Sequence, residues 1–576
     1  MEEKIHPNIF YLKIRLVLGL ITLFVGLWAA NLALFNWVED ISIHYLLGQY
    51  ARYVCAYGGF SAIIFGSMAV NDYVNRKTSK KSKGVEIMAV SESQLRPETE
   101  NAQLKQRITR ERQKNMGKKA AALSLAFLLL ILMPAIAYST SLYTASLIVT
   151  PTFKAFIAYR SNTGLYGLSS PKSRIWASES WGQEKELPSA GSPVRWVRSA
   201  YCPIHSRGYE LIVVTLSNEG YLDAYVWNGT SWIVENNIAF TGTTANAYRC
   251  FDIAYEKASG RALLVYSRGT TTNEIGYKIW NGTAWSIEKM LDADYTAHVI
   301  YWISLASCPG TRAGAADDNE IAMIYIVGDA DGDVFGYVWT GSDWNSMGAT
   351  AVWDNKIAIA TEECMAVAYE QQSGRAMFIW GDDKQGKNNY RIWDGKTLSA
   401  VTALTLTNED DKTNWVVLKA QSNSNGMLFG VVDAARDLNT AYWDGSAWTT
   451  HSEHDSDVGT QAARCFDFAW NPAGSTGLLV WGTAANSISY KTFTAPNTWS
   501  STFTKAAAGT HLWIQLRTNQ RLVNGDKYIL GADLNSNFDI GSITWDGSTF
   551  TITEGLITVD TTVSTYECFD LKFSPF

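Results

Sequence analysis

Trp227-Asn-Gly-Thr-Ser-Trp232 reads as an aromatic, a turn and a second aromatic, and the chain writes versions of it eight times. The copies begin at Trp176, Trp227, Trp280, Trp339, Trp393, Trp443, Phe493 and Trp545, in steps of 51, 53, 59, 54, 50, 50 and 52 residues. A period of that size marks a repeat architecture. Asn-Gly and Asp-Gly favour two-residue type I′ hairpin turns, which need positive φ at both central positions. On that reading Asn228-Gly229 is the turn and Tyr225 lies opposite Trp232. Tyr225, Trp227 and Trp232 then share one face of a two-stranded unit.

Working upstream, residues 250–268 read CFDIAYEKASGRALLVYSR, two β-rich runs around a Gly-containing turn. One repeat is therefore four strands, the content of a β-propeller blade. Residues 567–576, ECFDLKFSPF, copy the phrases that start at Arg249 and Arg464, yet no second strand follows them. The first repeat has the opposite defect, opening at Phe153 on a second strand without a first. The last strand is thus expected to complete the first blade. The fold expected is an all-β eight-bladed β-propeller, four strands per blade, preceded by an α-helical region of about three membrane spans.

A second period runs beneath the first. Cys250, Cys364, Cys465 and Cys568 occupy matching positions in the odd blades, while Trp196, Trp302, Trp415 and Trp513 open the even ones. The unit is a pair of blades repeated four times. The cysteines, with no CxxC among them, read as small buried hydrophobes.

The N-terminal part differs in kind. Leu16 to Phe35, Tyr53 to Val70 and Ala120 to Ala137 are apolar runs of membrane-spanning length. Residues 1–72 hold two of these spans, 73–119 a basic segment, 120–149 the third, and 150–576 the propeller. Residues 73–119 carry thirteen basic and five acidic side chains, and 1–72 carry four and five. Given a whole-chain charge of −7, the rest carries −14. The positive-inside rule puts the N-terminus and residues 73–119 in the cytoplasm and the propeller outside the cell. Residues 116–137 also have the basic start, apolar run and Ala135-Ile136-Ala137 of a signal peptide. Anchor and cleaved signal both export the propeller. An acidic propeller argues against nucleic acid as partner.

Candidate chemistry is sparse. Asp329, Asp331 and Asp333 alternate in a Gly-containing loop, and Asp533, Asn535, Asn537 and Asp539 stand at the same place in blade 8. Alternating oxygen donors suit calcium, while a solvated acidic hairpin explains them equally. Asn228 and Asn281 match the N-glycosylation sequon, although Asn-Gly is also what a turn needs. His451 and His454, with Glu453 or Asp455, are a possible loop site for a transition metal. No GxSxG, HExxH or P-loop occurs, so no catalytic residue is assigned. Asp252, Asp467 and Asp570 share one repeat position, where blade 5 has Ala366, and Arg249, Glu363, Arg464 and Glu567 alternate in charge three residues earlier. These are expected to form a polar ring near the channel.

The hairpins resemble those of secreted β-propeller repeat proteins, including sialidase-like and lectin propellers, over roughly residues 150–576. Against the sialidase Asp box, Asp444 is followed at once by Gly445 and four residues on by Trp448. The pattern departs, and no catalytic residue carries over. The three-span start resembles no family. What the resemblance and the export signals imply together is a cell-surface binding or adhesion module for a glycan or a surface protein. The alternatives are a glycan hydrolase or lyase at the channel, and a structural envelope component.

Overall fold

The computed structural model describes residues 154–575, apart from 178, 190, 270–273, 293–297, 313–318, 329–331, 349–351, 521–525 and 560–564. The expected membrane spans and the basic segment lie outside these residues. Among the described residues no helix is long and apolar enough to cross a membrane.

The described strands form eight antiparallel sheets. Blade 2 sets the pattern, with Val194–Tyr201 innermost, then Leu211–Ser217, Tyr221–Trp227 and Trp232–Phe240. Blades 3 to 8 repeat it, their innermost strands being Phe251–Tyr255, Ile300–Ser307, Met365–Tyr369, Thr413–Ala420, Phe466–Trp470 and His511–Thr518. Blade 1 closes the ring as expected. Phe569–Phe573 pairs with Ala155–Tyr159, so that Tyr159 faces Phe569 and Ala155 faces Phe573.

The signature hairpin is built differently from its sequence reading. Trp227 pairs with Trp232, and Tyr225 with Val234. The connection is therefore a four-residue loop, and only Gly229 has positive φ (96°). The Asn228 side chain replaces the second left-handed residue: its Oδ1 accepts from the Thr230 and Ser231 N–H groups at 3.0 and 2.9 Å. Such an Asx turn satisfies the loop amides without backbone strain. The ring pair that packs across the hairpin is Trp227 with Trp232, centroids 5.4 Å apart and planes tilted by 56°.

The signature tryptophans also join blades. Trp443 Nε1 donates to Glu370 of blade 5 at 2.7 Å, and Trp339 Nε1 to Glu256 of blade 3 at 2.7 Å. Each glutamate is in turn gripped by an arginine, Arg375 or Arg261. The same arginines reach across to the Gly445 and Gly341 carbonyls in the next blade's turn. A buried indole N–H thus finds its acceptor in its neighbour, which places these tryptophans in the blade interfaces.

Candidate functional site

The even-blade tryptophans meet on the axis. Trp196 packs on Trp302 (5.5 Å), Trp302 on Trp415 (5.7 Å), Trp415 on Trp513 (5.1 Å) and Trp513 on Trp196 (5.8 Å), each pair edge to face. Edge-to-face packing sets the positive rim of one ring on the negative face of the next. Four such contacts close a pinwheel, and all four rings are buried. The four-fold sequence period becomes a plug across the channel.

The next layer carries charge. Arg249 bonds Glu363, and Arg464 bonds Glu567. The alternating residues expected to ring the channel are thus two ion pairs. Arg198 adds a second contact to Glu567 at 2.8 Å. Beyond this layer opens a cavity of about 560 Å³, lined by Arg198, Arg249, Arg464, Arg517, Lys419 and Lys572 together with Asp252 and Glu363. Asp467 and Asp570 stand behind the cations: Lys419 meets Asp467 at 2.7 Å, and Arg517 meets Asp570 at 3.2 Å. In a propeller that is acidic as a whole, this channel concentrates cations.

The titration of these groups is set by their mutual arrangement. Burial works to raise the Asp467 carboxyl, but Lys419, Arg464 and Arg517 outweigh it and hold it below its ordinary value. Asp570 is lowered in the same way, against burial, by Lys572, Arg517 and Arg198. Burial works to raise Glu567 too, and Arg464 and Arg198 overcome it and lower the group. Burial pushes the Lys419 ammonium down to about 8, with Asp467 opposing and Arg517 and Arg464 adding to the shift. Those three carboxylates are held ionised, the opposite of what a general acid at neutral pH requires.

The aspartates also clamp blades together. Asp252 Oδ2 accepts from Leu305 N–H at 2.9 Å, Asp467 Oδ2 from Leu516 N–H at 2.8 Å, and Asp570 Oδ2 from Ser199 N–H at 2.7 Å. Each clamp ties an odd blade to the following even one. Blade 5, with Ala366, has none.

The other expected sites fare differently. Asp329 and Asp331 lie outside the described residues, and Asp333 is a buried residue of the strand Asp333–Trp339. Asp533 is buried and bonded to His511 Nδ1 at 2.6 Å. Asn535 Oδ1 closes the hairpin by accepting from the Asn537 and Asp539 N–H groups at 3.0 and 3.2 Å. Asp533 is thus engaged with His511, and Asn535 with the turn. Among the described residues no group of three or more His, Cys, Asp or Glu side chains is placed to hold a metal.

His451 and His454 are in the strand Trp448–Asp455, not in a loop. His454 contacts Thr440 Oγ1 at 2.8 Å and packs on Trp499, and burial pushes its imidazole down to about 3. Asp455 accepts from Trp481 Nε1 at 2.7 Å. His454 is therefore part of the blade packing, while His451 is exposed on the same strand. Asn228 and Asn281 are in the outer hairpin loops, each Oδ1 engaged in its own turn. Cys202, Cys250, Cys308, Cys364, Cys465 and Cys568 are unpaired and buried, as read from the sequence.

The cavity cations Arg198, Lys419, Arg517 and Lys572 were not legible as a group. They come from different blades, and only Lys419 and Arg517 share a repeat position, four residues after Trp415 and Trp513. A second cavity, of about 290 Å³, lies beside the outer strands of blades 2 and 3. Tyr221 and Phe240 pair there at 4.9 Å beside Arg268 and Glu288.

No family model matches the chain, and no curated protein matches it. Among solved structures it is similar to the BP39L lectin of Burkholderia pseudomallei, at 9% identity over 64% of this chain and 99% of that one, TM-score 0.44. The dihydro-heme d1 dehydrogenase NirN follows at 7% identity over 72% and 75%, TM-score 0.45. The six-bladed fucose-recognising lectin of Aleuria aurantia matches at 11% identity over 53% and 96%, TM-score 0.30. The likeness is one of fold.

Proposed function

We propose that the chain is a cell-surface binding module whose channel cavity takes a glycan. The observation that carries this reading is the blind channel. The channel is plugged by four tryptophans behind the ion-pair layer, and the cavity wall sets charged side chains among apolar ones. A cavity of about 560 Å³ is within the range of small-ligand sites. A stopped channel receives a small sugar or a chain end and does not let a polymer thread through. Charged and polar side chains set among apolar ones suit a sugar, which carries hydroxyls around an apolar ring face. Three carboxylates held ionised by cations favour recognition over acid catalysis.

The surface location rests on the three apolar runs before residue 150 and on the basic segment between the second and third, which together put the propeller outside. A glycan array probed with the full-length chain, with Ala366→Trp as the cavity-filling control, tests the binding function. The proposal fails if no glycan is retained, or if the filled variant binds as the parent does. Protease treatment of intact cells tests the location: an exported propeller is degraded while residues 73–119 survive.

A further inference from the structure

The four-fold clamp is broken at one quarter only. In the other three, an aspartate two residues after the inner cysteine reaches the N–H of the third residue after the ring tryptophan: Leu305, Leu516 or Ser199. Two of these aspartates also accept from the N–H that follows them, Ile253 at 2.9 Å and Phe468 at 2.8 Å. Asp252 and Asp467 thus each gather two backbone donors at the channel wall, and Asp570 one, the N–H of Leu571 going instead to Gln515 Oε1.

Blade 5 keeps the frame and lacks the carboxylate. Val416 N–H meets the Glu363 carbonyl at 3.3 Å, as Ile303 meets Arg249 and Ile514 meets Arg464. Leu418 pairs with Phe429 in the register that Ser199 keeps with Val213, past the same bulge. Ala366 pairs with Ile379 as Asp252 pairs with Val265. The N–H groups equivalent to those of Ile253 and Leu305 are therefore those of Val367 and Leu418. Ala366, Val367 and Leu418 all line the cavity, and Lys419 follows in the same wall. A methyl group stands where three sister blades place an acceptor.

We propose that the channel binds a carboxylate-bearing sugar whose carboxylate takes the place of the aspartate that blade 5 lacks, accepting hydrogen bonds from the Val367 and Leu418 N–H groups beside Lys419. This rests on the reading of the channel as the glycan site and adds the class of glycan and its orientation. A planar carboxylate is the group that the sister blades fit to this geometry. Bonds from N–H to an ionised oxygen are about twice as strong as neutral ones. Six cations face five carboxylates around the cavity, and the surplus positive charge adds attraction that a neutral sugar does not feel. The sugar ring then extends toward the mouth, past Lys419 and Arg517.

The test compares glucuronate with glucose, and with glucose 6-sulfate as a tetrahedral anion, by titration calorimetry on the full-length chain. Glucuronate is expected to bind at least about tenfold more tightly than glucose. Ala366→Asp supplies the missing carboxylate from the protein itself. It is expected to abolish glucuronate binding while raising the melting temperature. Near-UV circular dichroism of the tryptophan ring verifies that the variant is folded. Equal binding of glucose and glucuronate overturns carboxylate recognition and leaves the channel reading standing. Tighter binding of the sulfate overturns it in favour of a tetrahedral anion. Undiminished binding of glucuronate to folded Ala366→Asp places the carboxylate elsewhere and overturns the proposal. Absence of all glycan binding overturns both readings.

Discussion

The Asp570 carboxylate accepts from both the backbone N–H and the Oγ of Ser199, at 2.7 and 2.8 Å. It also holds Arg517 at 3.2 Å and Lys572 at 3.6 Å. One side chain therefore links the strand that completes blade 1 to blades 2 and 8. Removing one partner of a buried ion pair costs about 3–5 kcal/mol, because the other charges stay behind. Asp570→Ala is expected to lose that much in urea denaturation. Asp252→Ala, whose nearest cation is Arg249 at 3.8 Å, should lose about 1–3 kcal/mol. Equal losses at the two positions would remove the special role of the closing blade.

The tryptophan pinwheel predicts a position-dependent cost. Trp302 touches two ring partners and is buried, whereas the hairpin residue Trp448 is only partly so. Trp302→Ala should cost about 3–5 kcal/mol, the range for a buried aromatic, and Trp448→Ala clearly less. Near-UV circular dichroism should change for Trp302→Phe even where stability is largely kept, since coupling among the four indoles is lost. A Trp302→Phe spectrum identical to the parent would count against the ring as a coupled unit.

Glu370 predicts the strength of a blade interface. It accepts from Trp443 Nε1 at 2.7 Å and from Arg375 at 2.7 Å. Glu370→Ala leaves a buried indole N–H and an arginine without their acceptor, for a loss of about 3 kcal/mol. The matching Glu256→Ala should lose about the same, as its partners Trp339 and Arg261 are arranged alike. Melting curves of the two variants check the equivalence.

How far the fold was legible can be read from these residues. Ring closure was, because residues 567–576 carry a first strand with no second and residue 153 opens a second with no first. The Trp196, Trp302, Trp415 and Trp513 series was visible as a period. Its meeting on the axis was not, since a sequence period does not say which side of a blade faces the channel. The hairpin was misjudged because Asn-Gly satisfies two turn designs. Only the register, Trp227 on Trp232, separates them. Glu256–Arg261 and Glu370–Arg375 offered a signal that went unread: EKASGR and EQQSGR are the same six-residue device in blades 3 and 5. The cavity was the least legible part, because its cations come from different blades. Its ring residues Arg249, Asp252, Glu363 and Arg464 and the missing aspartate at Ala366 showed beforehand, while Arg198, Lys419, Arg517 and Lys572 did not.

The inner cysteines predict a chemical silence. Burial pushes the thiols of Cys250, Cys364, Cys465 and Cys568 up to about 12. Thiolate is the reactive form. Iodoacetamide at pH 8 should leave these four unmodified in the native protein and alkylate them in urea. Mass spectrometry of the peptides reads the outcome, and modification of any one under native conditions would show that its blade opens.

Glu409 sets the pH response of the interface between blades 5 and 6. Its carboxyl is buried and accepts from Thr413 Oγ1 at 2.6 Å and Asn388 Nδ2 at 3.1 Å. Burial, with the charges of Asp433 and Asp437 adding to it, raises this group to about 7, while the bonds from Thr413 and Asn388 oppose the rise. A carboxyl raised on folding is more easily ionised in the unfolded chain, so its contribution favours the fold at low pH. That contribution is complete below about 4.5, where both states are protonated, and is lost as pH rises through about 7. At about 1.4 kcal/mol per pH unit, the loss amounts to about 3 kcal/mol. Glu409→Gln fixes the neutral form. The variant should melt with the parent near pH 4.5 and above it at pH 8, where the parent must hold a buried charge. Parallel melting curves for the two proteins across that range would show that Glu409 is already ionised in the folded ring.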